Sequence, residues 1–303
     1  MTKTQNMAAS VKQRLLNISQ KTGEDFQLLL TRYAIERLLF RLGRSDHANS
    51  FVLKGAVLFA FWTGAMHRPT RDVDFLGFGE NSEEQLIAVF RALCAEPVGD
   101  DGLVFDPNSV TIEQIRGEDE YGGRRVTFSV RLGPARVPLQ VDVGFGDAVT
   151  PAAEVIEYPT LLGTEPPSLR AYPKETVVAE KVEAMVKLGL ANSRMKDFYD
   201  LLVLSRTFSF EGDRLQRAFR ATFERRGTKL PSNDPVALTA TFSSDDTKQK
   251  QWKAFVRRSA LEKSTETLAE VVDELSRFIL PPLRAAAEGQ TGESVWEPRG
   301  PWT

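Results

Sequence analysis

The chain holds one cysteine in 303 residues, Cys94, and two histidines, His47 and His67. A single thiol excludes an internal disulfide framework and a thiolate metal cluster, and two histidines leave no histidine-rich metal site. No apolar run approaches the roughly 18 residues of a membrane span, so no membrane partner is expected. The opening MTKTQNMAASVKQR lacks the apolar core of a secretion signal, and a cytoplasmic protein is expected. Any metal must then be held by carboxylates, which favours magnesium or manganese.

The net charge of −2 is unevenly spread. Residues 206–258 carry 12 Lys/Arg against 6 Asp/Glu, a local excess of +6 in an otherwise acidic chain. Such a stretch suits an anionic partner and equally a solvated helical face.

Hydrophobic spacing predicts two amphipathic helices across 10–43, through Leu15, Leu16 and Ile18 and then Phe26, Leu29, Leu30, Tyr33, Ile35, Leu38 and Leu39. FVLK at 51–54 reads as a strand and 56–62 as a short helix, with a second strand at Arg71–Gly77 and a helix near Glu83–Leu93. Segments 104–117 and 124–132 alternate like strands around Gly122–Gly123. Val137, Leu139, Val141 and Val143 alternate with Pro138, Gln140 and Asp142, the period of a half-buried strand. Pro151, Pro159, Pro166, Pro167 and Pro173 mark a linker-like stretch. Beyond it the chain reads as helical to about residue 290, interrupted near 227–248, and a Gly/Pro-rich tail is expected to be loose. The pattern predicts an α+β protein: N-terminal helices (1–45), a mixed-sheet catalytic core (46–165), a helical C-terminal domain (166–290) and the tail (291–303).

The sharpest feature is Arg68-Pro69-Thr70-Arg71-Asp72-Val73-Asp74-Phe75. On a strand, Asp72 and Asp74 face one side while Val73 and Phe75 enter the core. Adjacent ionised carboxylates repel, and a divalent cation relieves that repulsion. A surface strand with two solvated aspartates gives the same pattern. The flanks favour the metal. Lys54-Gly55 ends a strand at a strand-to-helix junction, where a glycine lets backbone approach a phosphate. Asp142 is the polar-face carboxylate of a later strand. Three carboxylates beside a phosphate-binding turn are what two-metal nucleotidyl transfer needs.

Beyond the linker, Lys181 lies within an apolar helical stripe of Val177, Val178, Ala184, Met185 and Leu188, while Glu180, Glu183 and Lys187 occupy the opposite face, where Glu183 and Lys187 form a conventional i,i+4 pair. Lys181 either snorkels to solvent or reaches a triphosphate. On helix propensity alone, replacing it with alanine is expected to be slightly stabilising. Next, Arg194-Met195-Lys196-Asp197-Phe198-Tyr199-Asp200 packs charges into an apolar helix start, more than one favourable N-terminal aspartate explains.

Lys54-Gly55, Arg68-x-Thr70-x-Asp72-x-Asp74, Asp142, Lys181 and Arg194-x-Lys196-Asp197-x-x-Asp200 resemble, in order, the motifs of the AbiEii-type nucleotidyltransferase toxins. These are the toxin halves of AbiE abortive-infection systems and relatives of the polymerase-β-like nucleotidyltransferases. The resemblance covers roughly 50–205. It implies a polymerase-β-like core, a helical C-terminal domain, NTP and magnesium (or manganese), a cognate antitoxin, and an RNA acceptor, the tRNA 3′ end in relatives with an assigned substrate. Family members commonly read Lys-Gly-Gly, and here Ala56 replaces the second glycine.

On this reading Asp72, Asp74 and Asp142 are the catalytic metal ligands. Lys54, Gly55, Arg68 and Thr70 contact phosphates, Lys181 and Lys196 neutralise the leaving pyrophosphate, and Asp197 orients Lys196 or the sugar. The rivals are a metal-dependent nuclease, which needs no NTP, and a catalytically inactive nucleotide-binding regulator. The basic 206–258 segment is the expected RNA surface, with Arg214, Arg217 and Arg220 tracking phosphates and Trp252 and Phe255 as core or base-stacking residues.

Overall fold

The structure is a computed structural model describing residues 3–115, 122–261, 266–290 and 292–303. Residues 116–117 of the strand expected over 104–117, 262–265 of the expected helical region and 291 of the tail lie outside the described residues. The chain divides into two units: residues 1–146 with 154–171, and residues 147–153 with 172–303.

The first unit opens with helices α1 (Lys3–Thr22) and α2 (Phe26–Arg44), the latter N-capped by Asp25, whose side chain accepts from the Leu28 amide. Then come β1 (Phe51–Lys54), α3 (Leu58–Thr63), β2 (Asp72–Gly77) and α4 (Glu83–Ala95). Strands β3 (Leu103–Phe105), β4 (Thr111–Gln114), β5 (Arg124–Leu132), β6 (Ala135–Phe145), β7 (Glu154–Glu157) and β8 (Ser168–Ala171) follow. Among the described residues these form one mixed sheet in the order β3-β5-β6-β2-β1-β8-β7, with β4 also paired to β5. β2 runs antiparallel to β1 and parallel to β6.

Alternation along the strands decides which face is dry. Val73 and Phe75 of β2, Val126, Phe128 and Val130 of β5, and Val137, Leu139, Val141 and Val143 of β6 all point to one side and are buried. α2 packs on β6 and β8, and Phe90 of α4 meets Phe51 and Phe128 across this face. The other face carries Asp72, Asp74, Gln140 and Asp142, all half-buried.

The proline-rich stretch is not a linker. β7 and β8 are strands of the sheet, β8 lying parallel to β1, and Pro159, Pro166 and Pro167 fall in the connection between them, where no ladder N–H is needed. The Tyr158 amide closes that connection on the Pro167 carbonyl. The strand expected over 104–117 is likewise broken, by a 3-10 turn at Pro107–Ser109.

The second unit contains α5 (Lys174–Leu188), α6 (Met195–Thr207), β9 (Phe210–Glu211), α7 (Gly212–Arg225), α8 (Ala240–Ser243), α9 (Asp246–Arg258), α10 (Leu268–Glu288) and β10 (Val295–Trp296). The tail expected to be loose is packed. β10 pairs with β9, Trp296 is buried and donates to the Ser205 carbonyl, and Trp302 stacks on Phe278. Two large indoles bury enough apolar surface to order a glycine- and proline-rich segment. Trp252 and Phe255 are also core residues, which removes the base-stacking alternative. No helix among the described residues is long and apolar enough to cross a membrane.

Candidate active site

Strand register builds the site. Lys54 on β1 lies opposite Asp74 on β2, Asp74 lies beside Asp142 on β6, and Asp142 lies opposite Arg125 on β5. One row across four strands therefore reads lysine, aspartate, aspartate, arginine on the face away from the buried core. The next row places Asp72 beside Gln140 and Gln140 opposite Thr127. Asp72 and Asp74 share a face because they are two apart on one strand; Asp142 joins them only through the parallel pairing of β2 and β6.

Local contacts fix the individual carboxylates. The Thr70 hydroxyl donates to Asp72 Oδ1 at 2.6 Å, and Thr70 is itself buried. Gly55 has φ +78, and a Cβ there would lie 2.7 Å from Asp74 Cγ and closer still to Oδ2. Gly55 thus serves the carboxylate as well as the turn: only a residue without a side chain lets Asp74 lie over it. The helix expected at 56 begins at Leu58, and the Leu58 and Phe59 amides turn back to the carbonyls of Gly55 and Ala56.

Asp142 is held differently. Arg125 donates from Nε to Oδ1 at 2.9 Å and from Nη2 to Oδ2 at 2.8 Å, a bidentate pair. The hydrogen bond to Asp142 is the main cause holding the Arg125 guanidinium above its ordinary pKa, against the opposing effect of burial. Among the described residues no three carboxylate, histidine or cysteine groups are gathered closely enough to hold a metal. The donor chemistry nonetheless fits a hard divalent ion, because Asp72 and Asp74 offer neighbouring carboxylates and Asp142 stands in register beside them. Sequence reasoning did not find Arg125.

Lys181, Lys196 and Asp197 lie in the second unit. Lys181 Nζ contacts Asp197 Oδ1 at 2.7 Å and Asp200 Oδ2 at 2.9 Å, so the lysine does not snorkel to solvent. Arg194 Nε adds a 2.6 Å bond to Asp197 Oδ2. Burial disfavours the charge on Lys181, but the two carboxylates outweigh it and raise its pKa; burial likewise opposes ionisation of Asp197, and Lys181 and Arg194 reverse that and lower its pKa. Lys181 and Arg194 thus balance Asp197 and Asp200, while Lys196 is exposed. Glu183, expected to pair with Lys187 on the face opposite the apolar stripe, is buried and accepts from Arg226 at 2.9 Å.

The basic segment is partly structural. Arg214 reaches buried Glu175 at 3.4 Å, Arg217 pairs with Asp213, and Arg220 donates to the carbonyls of Ala285, Ala286 and Gln290 at the end of α10. Lys248 is buried against the Asn192 carbonyl. Cys94 is buried and its thiol is pushed up to about 12, so it offers no reactive thiolate.

Among solved structures the chain is similar to two from Helicobacter pylori. One, provisionally named a nucleotidyltransferase, is 16% identical, with 88% of this chain and 95% of that chain covered at a TM-score of 0.49. The other, JHP933, is also 16% identical, with 86% and 90% covered at a TM-score of 0.48. No curated protein matches the chain. The sequence profile of the family described as "Nucleotidyl transferase AbiEii toxin, Type IV TA system" matches residues 37–275, and the chain belongs to that family.

Proposed function

We propose that the chain transfers a nucleotide from an NTP to an RNA acceptor, the 3′ end of a tRNA, and that it acts as the toxin of a bacterial toxin–antitoxin pair in phage defence. The observation that carries this reading is the row in which Lys54, Asp74 and Asp142 stand in register, with Asp72 two residues from Asp74 on the same face. Asp72, Asp74 and Asp142 would hold magnesium or manganese. A bound divalent ion supplies charge neutralisation at phosphate oxygens and lowers the pKa of an attacking hydroxyl.

The chain's own groups prepare for that chemistry. Thr70 orients one oxygen of Asp72. Gly55 gives Asp74 its place and lets backbone approach a phosphate. Lys54 and Arg68 supply cationic donors to the triphosphate. In the second unit Lys196, which is exposed, and Lys181 and Asp197, which fix each other's charge and orientation, are further proposed nucleotide contacts. The cognate antitoxin and the RNA are the proposed macromolecular partners.

The test is incubation of native protein and Asp72→Asn with each labelled NTP, magnesium and total RNA. Label on RNA with pyrophosphate release, lost in the variant, supports the reading. RNA cleavage that needs no NTP would replace it with the nuclease.

A further inference from the structure

Arg125 takes no part in the scheme above, yet it occupies both oxygens of Asp142. A cation binding at Asp142 needs at least one of those oxygens, so guanidinium and cation compete for them. The arginine is placed to yield. Its side chain is 38% exposed, and Glu113 stands opposite it in register on the outer side of β5. The β5–β6 ladder runs from Arg124–Val143 to Leu132–Ala135, so the side chain can turn while the strands keep their register. Gln140 lies against both members of the pair and can offer its carbonyl to Arg125 at 3.1 and 3.2 Å.

We propose that Arg125 is a displaceable counter-ion of the third carboxylate, a positioning residue that sets how readily Asp142 accepts a divalent cation and that turns towards Glu113 when the cation binds. This rests on the reading of Asp72 and Asp74 as metal ligands.

The experiment is Mn2+ binding to the full chain without nucleotide, followed by the electron paramagnetic resonance of free Mn2+. Arg125→Gln tightens binding by about threefold to tenfold, the scale of a partly exposed bidentate ion pair. Arg125→Lys, which keeps the charge but not the fork, tightens it less. Arg124→Gln removes the same charge from the opposite side of the strand and leaves affinity near native. In an Asp142→Asn background the Arg125→Gln gain disappears. A gain equal to that of Arg124→Gln, or one that persists without Asp142, makes the effect a general field and overturns the proposal. An affinity that Asp72→Asn does not weaken overturns the metal reading and this proposal with it, whereas loss in Asp72→Asn without gain in Arg125→Gln overturns the counter-ion alone.

Discussion

Consider the loss of the Lys181 ammonium. Its Nζ sits 2.7 Å from Asp197 and 2.9 Å from Asp200, with the three side chains 12%, 1% and 2% exposed. Lys181→Met keeps the aliphatic stem and removes the charge, leaving two buried carboxylates without the ammonium between them. Removing one partner of a buried pair costs about 3–5 kcal/mol. Arg194 remains beside Asp197 and offsets part of this, so the lower end, about 3 kcal/mol, is expected. At roughly 2–4 °C per kcal/mol, the melting temperature falls by about 6–12 °C. This reverses the slight stabilisation that helix propensity alone predicts. The pH dependence gives a second handle. In the native protein Asp197 is lowered from 3.8 and Lys181 raised from 10.5, so Asp197 contributes stability above the unfolded value that is lost as pH falls through its folded value. The lysine contribution is complete below 10.5 and is lost only as pH rises through its own folded value. In Lys181→Met the buried carboxylates, deprived of the ammonium, resist ionisation, so the deficit against native narrows as pH drops from about 8 to about 5. Adding Asp197→Asn and Asp200→Asn restores much of the loss. Calorimetric melts at both pH values decide the matter; a variant within about 2 °C of native at each would refute the reasoning.

Asp72→Ala should fold normally and lose transfer by about 10³-fold or more, as expected for loss of a catalytic metal ligand. Its expression should spare bacterial growth while native expression slows it; equal toxicity would detach the toxic effect from this chemistry. Gly55→Ala combines a positive φ with a collision against Asp74, so it should cost about 1–2 kcal/mol in a denaturant melt and impair transfer more than stability. Normal transfer in that variant would show that Asp74 can be displaced harmlessly. Trp302→Ala should lower the melting temperature of the second unit by several degrees, because the indole stacks on Phe278 and donates to its carbonyl; an unchanged melt would mean that the tail contributes nothing. Replacing Lys250, Lys253, Arg257 and Arg258 with alanine should weaken RNA binding and flatten its salt dependence by somewhat under one unit per lost phosphate contact. Unchanged filter-binding slopes would place the acceptor elsewhere.

What the chain reveals locally is what repeats locally. FVLK is strand Phe51–Lys54, the alternation around Val141 is strand Ala135–Phe145, and the shared face of Asp72 and Asp74 follows from a period of two on one strand. The Arg125–Asp142 pair was also within reach: Gly133-Pro134 is a two-residue turn, and counting back from Leu132–Ala135 puts Arg125 opposite Asp142. Other features needed the tertiary structure. Nothing in local spacing says that β2 and β6 run side by side and parallel, which brings Asp142 to Asp74 across 68 positions of chain. Nor does helical periodicity distinguish a snorkelling lysine from one ending on two aspartates of the next helix, because the partners of Lys181 lie on a different element. The prolines near 159–167 and the tail around Trp302 misled for the same reason: composition reports the backbone freedom of a segment in isolation, and burial against distant side chains decides whether that freedom is given up.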